Sequence, residues 1–389
     1  MTIASTIEKK AQTLPQAQTT GKGRKPFRWF AAIEFLLALS VGILALESFC
    51  NFAGVGNEEF LEPDSELGVR HIAGKKVVWR LEGYSDENLS SQGLRDREHA
   101  IKKPSGVYRI ALLGDSATEG MQVALNKTYG SVLESILNQR KPDGRNSKSV
   151  EVINFGCSSY SNGQEMLQLE KQVKQFEPDL VILMYNRGDY IENLRDPNTL
   201  KAEPRPYFYM GKDGKLTQDN TIMEANKDSF APNPTTDFLR RNSRIYGILT
   251  HTNLTLSLNE MLYSKLRGSI LKLLPGGKKN WNVQAVYTHT DPWRISQQIF
   301  ERVNADCKGM NAKLMLVCFP NIVKDKVYEE QITALKKQAN SSGFSYLDLS
   351  PDYLQSKDPK TLFLKYHFSD AGHELAAKRI SDIIRSDIF

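Results

Sequence analysis

Residues 109–120, "RIALLGDSATEG", decide how the rest of the chain is read. The first half is a run of apolar, β-compatible residues that stops at Gly114. Asp115 and Ser116 then stand where a strand hands over to a helix. Oxygen-bearing side chains at such a point accept the free N–H groups of the helix N-terminus. Ser116 is therefore either the cap of the next helix or a nucleophile held at a strand end.

The pattern around that stretch repeats. "YRIALLG", "VEVINFG", "DLVILMY", "KLMLVCFP" and "FSYLDL" each read as a short, continuous apolar strand. Helical spacing follows over roughly 121–139, 163–175, 326–338 and 370–384. Such strands with helices between them describe a parallel sheet covered on both faces, the doubly wound α/β class. The alternation stops between 190 and 291, where Pro204, Pro206, Pro232 and Pro234 precede a helical run over 243–274. A long insertion at this point is expected to act as a lid over the Ser116 end of the sheet. The catalytic domain is expected over 106–389.

Charge is uneven along the 389 residues. Of the net +6, the tail 1–29 holds +5, from Lys9, Lys10, Lys22, Arg24, Lys25 and Arg28 against Glu8. The near-neutral remainder excludes a broad nucleic-acid surface. The basic tail instead flanks "FAAIEFLLALSVGILALESF" at 30–49, about the length that spans a bilayer. Glu34 and Glu47 lie near its ends, and Glu58, Glu59, Glu62 and Asp64 follow it. The positive-inside rule then gives a cytoplasmic tail, a transmembrane anchor over 30–50, and a domain on the periplasmic or extracellular side. No small-x-small cleavage site adjoins the apolar run, which favours an uncleaved anchor over a signal peptide. Residues 51–105, rich in Gly and charge, read as a linker. Cys50, Cys157, Cys307 and Cys318 do not form a close-spaced metal set and read as isolated buried thiols.

In doubly wound sheets, ligands sit outside the carboxyl ends of the strands. Those ends carry Gly114-Asp115-Ser116, Asn154-Phe155-Gly156-Cys157 and Asn186-Arg187-Gly188-Asp189, with His367 and His373 in "KYHFSDAGH" before the last helix. A Ser, a His and a few backbone N–H donors are the minimum for acyl transfer. The G-x-S-x-G elbow of α/β-hydrolases does not fit, since Thr118 stands where its second Gly belongs.

"GDSATEG", "NFG", "RGDYIEN" and "HFSDAGHELAA", in that order, resemble the GDSL/SGNH hydrolase family, and "GLRDREHAIKKPSGVYRIALLGDS" resembles the lead-in of its membrane-anchored members. The resemblance covers roughly 90–195 and 310–385. It implies a flavodoxin-like sheet, Ser116 as nucleophile, and the N–H groups of Ser116 and Gly156 as oxyanion donors. Where the family carries Gly-x-Asn-Asp, this chain has Gly188 in place of the Asn. Asn186, two residues earlier, is then the candidate third donor. His367 fits the register of the catalytic base, whereas His373 follows Gly372 and is expected to pack or cap, leaving Asp370 without a catalytic role. The orienting acid belongs at 364 or 365, and those residues are Leu364 and Lys365. Asp358, Asp348 or a backbone carbonyl are the substitutes. Asp115 and Asp189 are expected to hold their turns, Arg187 to be salt-bridged or to meet an anionic group, and Met184 and Tyr185 to pack.

The leading functional reading is an envelope-anchored serine esterase or lipase-like hydrolase acting on an acyl ester, of a lipid or an acylated glycan, without cofactor or metal. An O-acyltransferase on an envelope glycan uses the same chemistry. A degenerate domain that binds without turnover is the reading of a different class, motivated by Gly188 and Lys365.

Overall fold

The computed structural model describes residues 29–56, 59–139, 148–195, 203–251, 291–323 and 325–388. Trp29–Ala53 is one continuous helix of 25 residues with a mean hydropathy of 2.2 over its apolar window. The basic tail lies outside the described residues, apart from its last position.

Two hairpins come before the main sheet. β1 (Leu61–Asp64) pairs with β2 (Gly68–His71), and β3 (Lys76–Trp79) pairs with β4 (Ser85–Asn88), both antiparallel. The central sheet follows: β5 (Val107–Leu113), β6 (Ser149–Asn154) and β7 (Leu180–Tyr185). A hairpin of β8 (Tyr207–Met210) and β9 (Leu216–Asp219) interrupts it, and β10 (Lys313–Cys318) and β11 (Ser345–Asp348) complete it. The five strands run parallel in the order β6-β5-β7-β10-β11. Counted along the chain this is 2-1-3-4-5, the flavodoxin-like order, whose switch point falls between β5 and β7. The ends of those two strands lead to Ser116 and Asn186.

Strand alternation explains the layers. Ala111 and Leu113 face a core with Met166 and Leu169 of helix Asn162–Lys171 and with Ile299, Phe300 and Val303 of helix Pro292–Gly309. Ile110 and Leu112 face the opposite core, with Leu133 of helix Tyr129–Gln139 and Ala376, Ala377 and Ile380 of helix Asp370–Ile388. Both faces are covered, so the strands read as continuous apolar runs. Cys157, Cys307 and Cys318 are buried free thiols.

Residues 51–105 correct the linker expectation. Several of their charges are buried and hydrogen-bonded rather than solvated. Arg95, 1% exposed, donates to the carbonyls of Glu119 at 3.0 Å and Val123 at 2.5 Å. The Asp96 carboxylate accepts from Asn154 N–H at 2.8 Å. Phe60, Val77 and Leu89 form a small core with Met121. The stretch is part of the domain.

The insertion also differs from expectation. Phe208 of β8 is buried against helix Asn162–Lys171, where a Cβ on Gly163 would meet its ring at 2.2 Å. Helix Pro234–Asn242 binds the first hairpin region: Arg240 pairs with Glu59, Arg241 with Glu62, and Lys75 donates to the Arg240 carbonyl at 2.6 Å. The helical run expected over 243–274 is seen as Arg244–His251, and 252–290 lie outside the described residues.

Candidate active site

β5 ends at Leu113, and the chain turns at once into the short helix Ser116–Glu119. Asp115 is its N-cap: the carboxylate accepts from Ala117 N–H at 2.9 Å. Capping thus belongs to Asp115, which leaves the Ser116 hydroxyl for another partner. That partner is His367, whose Nε2 lies 2.9 Å from Ser116 Oγ. The expected pairing of these two residues, 251 positions apart, is present.

The other face of the imidazole meets a residue that sequence reasoning missed. Glu82 Oε2 is 2.8 Å from His367 Nδ1. Glu82 Oε1 accepts the backbone N–H groups of Lys365 and Tyr366 at 2.6 Å each and of His367 at 3.1 Å. Burial pushes this carboxyl up, but the N–H bonds and the His367 ring outweigh it and hold it below the usual range. Lys365, at the position where an acid was expected, supplies a backbone donor instead. Glu82 lies in the turn between β3 and β4. Gly83 has φ +72°, and a Cβ there would meet the Gln122 carbonyl at 2.0 Å, so this turn admits only glycine. Trp79 Nε1–H donates to the Glu82 carbonyl at 3.0 Å and fixes the turn from the other side. Asp348 and Asp358 do not approach the site: one accepts from Ser350 N–H, the other caps helix Pro359–Leu362.

Gly156 N–H is already committed to Asn154 Oδ1 at 2.9 Å. Its missing Cβ serves packing, since a Cβ would come within 2.4 Å of Glu119 N. Ser159, three residues on, lines the cleft beside Ser116 and His367. Its φ is +67°, a left-handed value that a residue other than glycine takes at a cost of roughly 1–2 kcal/mol. Ser159 N–H donates to no group among the described residues. Asn186 comes close to the nucleophile turn, where its Nδ2 donates to Asp115 Oδ2 at 3.1 Å. That bond uses one of its two amide hydrogens.

Asp189 holds its turn as expected, accepting from Asn186 N–H and Asn162 Nδ2 at 2.9 Å each. Burial, then the neighbouring Glu165 and Asp115, pushes its carboxyl well above the usual range, and burial also raises Asp115 and Glu165. Arg187 is ion-paired with Asp325. Met184 and Tyr185 pack in the core.

His373 is 1% exposed, stacked on Tyr129, and its Nδ1 accepts Tyr129 N–H at 3.1 Å. Burial, with help from Arg95 and His367, lowers its pKa to about 3. The folded chain therefore refuses a proton that the unfolded chain takes up below its ordinary pKa of about 6.5. Stability is full above that value and falls as the pH drops towards 3. His373→Phe keeps the ring and removes the titration. The stability difference between variant and parent is expected to change by about 1.4 kcal/mol per pH unit across that window, in the variant's favour at low pH. Urea unfolding at several pH values measures it, and a constant difference contradicts it.

The cleft over Ser116 and His367 has a volume of about 370 Å³, with Phe60, Leu61, Trp79 and Leu81 on one wall. No described residue of the insertion lines it. The lid expectation is thus corrected for the described part: the wall comes from 59–81. The insertion's described part is held instead by the first hairpin region and by helix Asn162–Lys171.

Residues 110–208 match the family described as GDSL-like Lipase/Acylhydrolase. No curated protein matches the chain. Similar solved structures include Axe2, an acetylxylan esterase from Geobacillus stearothermophilus, at 12% identity and a TM-score of 0.39, covering 71% of this chain and 94% of that one. Another is LAE5, an alpha/beta hydrolase enzyme from the metagenome of Lake Arreo, Spain, at 12% identity and a TM-score of 0.38, with the same two coverages, 71% and 94%. At these scores the likeness carries no argument. The matched segment holds the Ser116 turn and the next two strands of the sheet, and over that segment the chain is similar to GDSL-like lipases and acylhydrolases, which supports a carboxylic ester hydrolase.

Proposed function

We propose that the chain is an envelope-anchored serine esterase whose relay is Ser116, His367 and Glu82. The observation that carries this reading is the unbroken line of contacts, 2.9 Å from Ser116 Oγ to His367 Nε2 and 2.8 Å from His367 Nδ1 to Glu82. His367 takes the Ser116 proton as Oγ attacks the ester carbonyl. Glu82 holds the ring with its proton on Nδ1 and balances the imidazolium that forms. The N–H groups of Ser116 and Ser159, and the second amide hydrogen of Asn186, are the donors for the developing oxyanion. Collapse expels the alcohol, which receives its proton from His367. Water, deprotonated by the same ring, then releases the acid from the acyl-enzyme. Gly188 and Lys365 motivated a binding-only reading. Glu82 removes the second of those motives.

The apolar wall supports an acyl group rather than a sugar as the part of the substrate buried beside Ser116. The purified full chain is expected to hydrolyse nitrophenyl acyl esters, and absence of turnover across a chain-length series contradicts the reading. Trp79 carries the wall and braces the Glu82 turn. Trp79→Phe keeps an apolar ring but removes the indole donor and part of the wall. It is expected to lower kcat/KM for medium-chain esters by about tenfold relative to acetate, roughly the worth of a few buried methylenes. An equal loss on every chain length would mean that the wall does not contact the acyl group.

Helix Trp29–Ala53 supports the anchor, with the basic tail before it and Glu58, Glu59, Glu62 and Asp64 after it. Protease added to spheroplasts is expected to digest the domain. Protection of the domain contradicts the topology, and a mature N-terminus beyond residue 49 means a cleaved signal sequence instead.

A further inference from the structure

Three side chains outside the relay meet in the interior. His71 comes from β2, Glu119 ends the Ser116 helix, and Cys157 follows Gly156. One imidazole nitrogen, one carboxylate oxygen and one sulfur all lie within 4.8 Å of one another. All three residues are buried. Such a mixed donor set suits a borderline divalent cation, Zn²⁺ above all.

The orientation of the ligands is a second, independent observation. His71 Nδ1 is 3.0 Å from the Gly93 carbonyl, which only accepts, so Nδ1 carries a proton. In the neutral ring the lone pair is then on Nε2, and Nε2 faces Glu119 Oε1 at 2.5 Å. Two acceptors at that distance need a proton or a cation between them. Metal-bound imidazoles have this arrangement, with the far nitrogen donating to a carbonyl. The Glu119 carboxylate is held in turn by the Ser158 hydroxyl and by Ser158 N–H at 3.2 Å. A cavity of about 420 Å³ reaches His71 and Cys157, and its walls carry Glu62, Asp64 and Glu66 ion-paired with Arg70, Arg241 and Lys171. It supplies a polar entry path and room for a water.

We propose that His71, Glu119 and Cys157 bind one divalent cation of the Zn²⁺ class, with a water from this cavity as fourth ligand. Tetrahedral ligation at about 2.0–2.1 Å requires the His71–Glu119 pair to open to about 3.3 Å, a small side-chain rotation. Binding releases two protons, one from the Cys157 thiol and one shared by His71 and Glu119, so two positive charges leave as two arrive. The bound ion ties the helix of Ser116 to the loop that carries Ser159. Its role is to hold that geometry, and it takes no part in acyl transfer. The site does not depend on the esterase reading.

The test uses the full chain in detergent, stripped by a chelator and titrated with Co²⁺ alone. One Co²⁺ per chain is expected, with a thiolate-to-cobalt charge-transfer band, about two protons released per ion, and a raised thermal midpoint. Cys157→Ser is expected to abolish the band and weaken binding by at least tenfold, and Zn²⁺ should displace Co²⁺ from the parent. If Cys157→Ser fails to fold, proton release and the band in the parent decide. No band and no change in midpoint would overturn the proposal and leave a His71–Glu119 charge pair only. A band that survives in Cys157→Ser would overturn it as well, since the sulfur would then come from another cysteine.

Discussion

Ser116→Ala and His367→Ala each lower kcat on a nitrophenyl ester by about 10⁴-fold or more, with KM little changed. An alcohol is a weak nucleophile at neutral pH, and the reaction proceeds only where a base sits beside it. His367 Nε2 is that base at 2.9 Å from Oγ. Removing either partner leaves only the oxyanion donors and substrate binding, so the double variant is expected to be no worse than the worse single one. Steady-state kinetics of the three proteins measures this. Additive losses would mean that the two residues act separately. His373→Ala is the contrast: that ring belongs to the Tyr129 contact, so its loss should be read in stability rather than in kcat.

Glu82→Gln is expected to lower kcat by about 10³- to 10⁴-fold, also at nearly constant KM. The amide oxygen replaces Oε1 under the three N–H groups of 365–367. The amide nitrogen then points at His367 Nδ1 as a donor. The ring must take the other tautomer, with its proton on Nε2, and it can no longer accept the Ser116 proton. The variant has the same size and nearly the same bonds, so unchanged folding with lost turnover separates a positioning role from a structural one. Activity near that of the parent would assign the orientation of His367 to another group.

The sheet was legible because both of its faces are covered. Five apolar runs give the strands, and the carboxyl ends of two of them put Ser116 and Asn186 at one edge of the sheet. His367 was legible from its place before the last helix. The helix expected over 121–139 starts only at Tyr129, because Gly120 takes φ +70° and closes the Ser116 helix at Glu119. Glu82 was not legible: it lies 285 residues from His367, on a turn with no periodicity, inside a stretch whose charge density suggested a linker. Burial of Arg95 and Asp96 against backbone partners makes those charges structural, and composition cannot distinguish bonded from solvated charge. Ser159 carried no signal either. A glycine at its left-handed position would have marked the turn, whereas Gly156, which drew the assignment, is glycine for the close approach of Glu119.

The most direct test of the central claim is mass spectrometry of the full chain after reaction with a fluorophosphonate. The account predicts a single adduct on the peptide that contains Ser116. It predicts no adduct in Ser116→Ala, and labelling slowed by at least 10²-fold in His367→Ala and Glu82→Gln. An adduct on another residue, or equal labelling of Ser116 with and without Glu82 and His367, would contradict it.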